Sequence, residues 1–143
     1  MGTFRIKLTT DQFSELNQRF PSSRGSGDIG KRAVEIIRYH FKNQHPGCSF
    51  VETPSGADVA VRPVGAAAPM VFEVKGTADA DMAWQQLKVS SKSSHALLTS
   101  GSASVLRVTA VFGREPVVHE LRHGTDFWLE LEARWTFKRT PGA

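Results

Sequence analysis

Between Ser49 and Gly76 three short apolar segments follow one another, SFVET, ADVAVRP and MVFEVKG, separated only by PSG and VGAAAP. Segments of this length, bounded by glycine, proline and serine, read as β-strands. The stretch before them has another period. Ile29, Ala33, Ile36, Ile37, His40 and Phe41 recur at helical spacing, which predicts a helix from about Ile29 to Lys42 with Asp28 placed to cap it and HPG ending it. A second helix is expected from Asp79 to about Ser93, where Ala80, Ala83, Trp84 and Leu87 fall on one face. Further on, VLRVTAVF is joined by GREP to VVHELR, and FWLELEARWTF alternates Phe127, Leu129, Leu131, Ala133, Trp135 and Phe137 on one face, as antiparallel strands do. At the other end FRIKLTT reads as a short strand, DQFSELNQRF as a helix capped by Asp11, and PSSRGSGDIG as a flexible connection. The sum is one α/β (α+β) domain over residues 1–143, a mixed β-sheet flanked by helices.

Composition narrows the surroundings. With 143 residues, 40% hydrophobic and 22% charged, the chain has the size and balance of one folded domain. No apolar run approaches the ~20 residues that cross a bilayer, so no membrane partner is expected. The first ten residues lack the apolar stretch of a secretion signal. Cys48 stands alone, which rules out an internal disulfide and a cysteine-rich zinc site. A cytoplasmic location follows as the expectation. The charge of +4 leans mildly toward a polyanionic partner.

The chemistry concentrates in ADVAVRP and MVFEVKG. Side chains alternate along a strand, so Glu73 and Lys75 leave one face while Phe72 and Val74 leave the other. Burying either charge unpaired costs several kcal/mol, so the pair calls for an explanation. If the two strands pair antiparallel, Asp58 comes close to Glu73. Two carboxylates with an ammonium beside them suit a hard divalent cation and a phosphate.

Asp58 followed by Glu73-Val74-Lys75 after a hydrophobic hairpin resembles the PD-(D/E)XK signature of restriction-endonuclease-like nucleases. The predicted order of helix, strands, helix, strand resembles that family's core, over roughly residues 28 to 112. The resemblance implies a restriction-endonuclease-like fold and hydrolysis of phosphodiester bonds, in DNA more than RNA. It further implies Mg²⁺ or Mn²⁺ held by Asp58 and Glu73, with Lys75 helping to activate the attacking water. Ala57 stands where the family often has proline. Glu35, on the first helix, is the candidate for the glutamate that completes the metal site in many members. An exposed ion pair with Lys31 or a neighbour competes with that role. Gln86 resembles a glutamine some members place near the metal, although Ser90 replaces the tyrosine often found four residues later. Arg24, Lys31, Arg32, Arg62, Lys88 and Lys92 are the candidate contacts to a nucleic-acid backbone. A domain this small with no recognition appendage is expected to act as a homodimer or within a larger complex.

Other motifs compete. HELRH at His119 to His123 matches HExxH, a zinc-peptidase pattern that works only on a helix; its flanks predict a strand, on which the two histidines stand ~13 Å apart. GSGDIGK matches phosphate-loop patterns, but no strand launches it and Arg32 follows where Ser or Thr would hold Mg²⁺. A catalytically silent binding module of the same fold, displaying Arg62, Lys88 and Lys92, is the non-enzyme alternative. Trp128, on the nominally polar face of the last segment, leaves a protein partner open as well.

Overall fold

A computed structural model describes residues 2–24 and 26–142, without the side chains of residues 24 and 26. Six strands form one mixed sheet in the order β1-β6-β5-β4-β3-β2. They are β1 (Gly2–Arg5), β2 (Ser49–Phe50), β3 (Val59–Arg62), β4 (Met70–Gly76), β5 (Ser104–Thr109) and β6 (Val117–Leu121). Neighbours pair antiparallel except β4 and β5, which are parallel. The helices are α1 (Thr10–Arg19), α2 (Ser26–Gln44) and α3 (Lys92–Thr99). None is long and apolar enough to cross a membrane.

One face of the sheet carries the main core. Val59, Val61, Phe72, Val74, Leu106, Val108 and Val118 pack with Ala33, Ile36 and Ile37 of α2. Helix and strand approach so closely at Gly76 that a Cβ there would lie 2.8 Å from the Ala33 Cβ. On the opposite face Val105, Leu121, Leu98 and Ala103 form a smaller cluster under α3 and the segment that leads into it.

Several local expectations are corrected. Thr9, not Asp11, caps α1, through a reciprocal box with Gln12. Helix α2 begins at Ser26, so Asp28 lies in its first turn and the second half of PSSRGSGDIG is helical, with a 3₁₀ turn at Ser22–Arg24. No helix spans Asp79 to Ser93. Asp81 Oδ1 accepts from the Ala83 N–H, Ala83 takes a left-handed conformation, and only a 3₁₀ turn, Trp84–Gln86, follows. The second helix is α3, started later by Ser91, whose hydroxyl accepts from the Ser94 N–H. The C-terminal alternating segment, expected as an antiparallel strand, belongs to no strand of the sheet. HELRH lies on β6 as far as Leu121, so its histidines lack the helical spacing a shared metal requires.

Candidate functional site: two carboxylates and a lysine on strand β4

The β3–β4 hairpin ties Asp58 to the strand that carries Glu73. Its register sets Val59 against Phe72, and Asp58 immediately precedes β3 at that end of the pairing. The Asp58 N–H donates to the Phe72 carbonyl at 2.9 Å, and Asp58 Oδ2 accepts from the Val74 N–H at 2.7 Å. The exposed carboxylate of Asp58 is therefore anchored to the backbone of the strand that carries Glu73. The loop before it is tight. Gly56 has φ +92°, and a Cβ there would run into the backbone of Ser94, whose hydroxyl donates to the Gly56 carbonyl at 2.8 Å. The start of α3 thus braces the turn that presents Asp58.

Glu73 is 5% exposed, and its Oε1 lies 3.0 Å from the half-buried Lys75 Nζ. Its other oxygen, Oε2, is buried with no hydrogen-bond partner. A buried carboxylate oxygen without a partner carries a desolvation cost of about 1–3 kcal/mol or more. Among the described residues no group of three or more His, Cys, Asp or Glu converges to hold a metal. The oxygen donors of Asp58 and Glu73 still fit Mg²⁺ or Mn²⁺, since Mg²⁺ commonly takes one or two carboxylates and keeps several waters. The pair lacks the cysteine and histidine donors on which zinc sites mostly draw.

Sequence reasoning missed the residue that holds the back of this strand. Arg107 is 2% exposed and pairs in register with Lys75. Its guanidinium donates to the Gly76 carbonyl at 3.2 Å and the Met82 carbonyl at 2.9 Å, and reaches Lys75 O at 3.4 Å. Burial pulls Arg107 below the usual arginine range, while Asp79 and Asp81 oppose that shift. Arginine among the valines of VLRVT was the available signal. Across the sheet Arg107 stands opposite His119, which in turn stands opposite Thr3.

The remaining candidates are dispersed. Gln86 belongs to this side, but its amide is engaged: Oε1 accepts from Thr77 Oγ1 at 2.9 Å and Nε2 donates to Asp79 Oδ2 at 3.0 Å. Glu35 lies elsewhere. It sits on α2, which covers the other sheet face, with Oε1 3.7 Å from Arg19 Nη1. Arg32 is a correction, because it is 0% exposed and cannot touch a nucleic acid. Its guanidinium donates to the Val111 carbonyl and to Asn17 Oδ1, each at 2.8 Å, and packs over the Phe13 and Phe112 rings. Lys31, Arg62 and Lys92 are exposed, and the side chain of Arg24 lies outside the described residues. Lys88 is closer to the site. It lines a cavity of about 210 Å³ together with Lys75, Trp84, Leu121 and Trp128.

Fold and site together define a mixed α+β domain with a carboxylate–lysine cluster on a central strand. No protein-family model matches this chain, and neither a curated protein nor a solved structure matches it.

Proposed function

We propose that this domain is a metal-dependent nuclease that hydrolyses phosphodiester bonds, with DNA the favoured polymer, through Asp58, Glu73 and Lys75. The observation that carries the reading is Glu73, a carboxylate buried on a covered sheet face with one oxygen on Lys75 and the other unpartnered. As a purely structural ion pair this is poor design, because desolvation offsets the attraction unless every oxygen is satisfied. As a cation site it is economical: the spare oxygen is a ligand, and Asp58, held on the Val74 N–H of the same strand, supplies a second one. Further support comes from topology. From α2 to β5 the chain runs helix, three strands, helix, strand, with β5 parallel to β4, which is the order implied by the PD-(D/E)XK resemblance.

Bound Mg²⁺ or Mn²⁺ would supply Lewis acidity and a water of lowered pKa at the phosphate. The chain's own groups do the rest. Asp58 and Glu73 hold the cation, Asp58 oriented by the Val74 N–H. Lys75 offers its ammonium to the attacking water and to the negative charge that grows on the phosphate oxygens. Such a charge acts most strongly in the transition state, so its loss falls on turnover more than on binding. The expected result for Lys75→Ala is at least ~100-fold slower cleavage of DNA with Mg²⁺ at a temperature where the variant, which loses the partner of buried Glu73, is still fully folded. Equal rates for variant and wild type sink the proposal.

One observation favours a second reading. Lys75 and Lys88 share their cavity with Trp84 and Trp128, a lining of cations and aromatic faces that suits single-stranded nucleic acid without cutting it. Under that reading binding is indifferent to Mg²⁺ and to Asp58→Ala. Calorimetric titration of Mg²⁺ into the wild type and that variant separates the two: a loss of metal binding in Asp58→Ala supports the nuclease.

A further inference from the structure

Residues 128–138 belong to no helix or strand, and none of their backbone groups is hydrogen-bonded to another backbone group among the described residues. Leu131, Trp135 and Phe137 are 100%, 102% and 102% exposed. The sequence alternates, so that in a strand it would present an apolar face of Leu129, Leu131, Ala133, Trp135 and Phe137, and a polar face that includes Glu130, Glu132, Arg134 and Lys138. A segment with strand alternation, no backbone partner and its apolar side chains in water is half of something.

The segment is complementary to itself. Laid antiparallel against a second copy with Ala133 opposite Ala133, it sets Leu131 against Trp135 and Leu129 against Phe137, while Glu132 meets Arg134 on each side of the axis. The smallest side chain falls on the twofold axis. Sliding by one step of the same face brings Arg134 against Arg134 in one direction and Glu132 against Glu132 in the other, and like charges directly opposite destabilise a strand pair. The charges therefore select one register.

We propose that the chain forms an isologous dimer in which residues 128–138 of two copies pair in this register. Beside the segment runs a groove of about 690 Å³, lined in part by Leu87, Val89, His95, Leu129 and Leu131. The register delivers the partner's Phe137 and the partner's Trp135 opposite Leu129 and Leu131, at the edge of this groove. Lys88 Nζ, 3.1 Å from Glu132 Oε2, ties the strand to the body beside it. The three fully exposed side chains offer on the order of 500 Å² per copy, the larger part of the ~800 Å² per partner that a stable interface needs. The strand backbone and the groove supply the remainder.

Sedimentation of the full-length protein tests this, with a dimer the expected mass. Glu132→Arg and Arg134→Glu should each yield monomers, since each sets like charges opposite, and mixing the two variants should restore a dimer. Only an intermolecular pairing of position 132 with position 134 behaves that way. In a Cys48→Ser background, Ala133→Cys should form a disulfide between copies on mild oxidation, because the Cα separation of facing strand residues, about 4.5–5.5 Å, lies within the range a disulfide spans. A monomeric wild type, a mixture that stays monomeric, or a dimer that Ala133→Cys fails to cross-link overturns the proposal. The assay involves no cleavage, so the nuclease reading stands or falls separately.

Discussion

The two faces of the sheet are built to different standards. Against α2, Ile36, Ile37, Val61, Val108 and Val118 are all fully buried, and the buried Arg32 there is held by three oxygen acceptors and two aromatic rings, although its Nη2, like Asp28 Oδ2, is left without a hydrogen-bond partner. The other face has a small apolar cluster, and set among it Glu73 with an unpartnered oxygen, half-exposed Lys75, and Arg107 spread over several carbonyls. Strand β4 serves both. Phe72 and Val74 stabilise the fold on one side, while Glu73 and Lys75 carry an electrostatic cost on the other. The strongly packed face lets the strand tolerate that cost, and a chain with two weak faces would not.

This contrast can be broken by substitution. The largest effect is expected for Arg32→Ala, about 3–5 kcal/mol of destabilisation by chemical denaturation, because a buried carbonyl and an amide oxygen lose their donor and a void opens between the Phe13 and Phe112 rings. Next, Ile37→Ala should cost about 3 kcal/mol and Leu121→Ala about 2 kcal/mol, the difference reflecting the smaller cluster around Leu121. Equal losses would remove the asymmetry between the faces. A smaller effect is expected for Glu73→Gln, a change within about 1 kcal/mol, since the variant loses an ion pair but also a buried unpartnered charge. Its Mg²⁺ response should vanish all the same. A strongly destabilised Glu73→Gln would mean the carboxylate serves the fold.

The smallest effect is a pH dependence shared by one histidine on each face. Burial, then the charge of Arg107, holds His119 below the ordinary histidine range; burial, then His45, does the same for His40, which stacks on Phe4. A base whose folded pKa is depressed favours folding fully above its unfolded value, ~6.5, and that stability is lost as pH falls through the lower folded value. The melting temperature should therefore decline modestly as pH is lowered from ~7.5 to ~5.5, and the decline should shrink in His119→Asn and in His40→Phe. A flat profile would contradict the burial assigned to both.

What the sequence revealed follows from how local each feature is. The β3–β4 hairpin, and with it the contact of Asp58 with strand β4, was readable because alternation, short links and turn residues all lie within one stretch of chain. The α2 stripe was readable for the same reason. Arg32 was misread because its acceptors and rings come from residues 13, 17, 111 and 112, far apart along the chain. The helix expected at Asp79 failed on competition: Ala80, Ala83, Trp84 and Leu87 keep helical spacing, but the Asp81 side chain takes the Ala83 N–H, and Ser91 offers a better start further on. The alternation from Phe127 to Phe137 predicted a strand of the sheet, yet residues 128–138 join none, because no period within a chain says whether a partner strand lies beside it.

The parallel pairing of β4 with β5 also orders events in time. The antiparallel hairpin that ties Asp58 to β4 closes a loop of a few residues, whereas β5 returns to β4 only after the whole excursion through residues 77–103. Closing long loops is the slow part of folding. Asp58, Glu73 and Lys75 all belong to the local hairpin, but Arg107 grips the carbonyls beside Lys75 only when β5 docks. A half-made molecule therefore holds the three charged groups on a strand whose far edge is still unpaired.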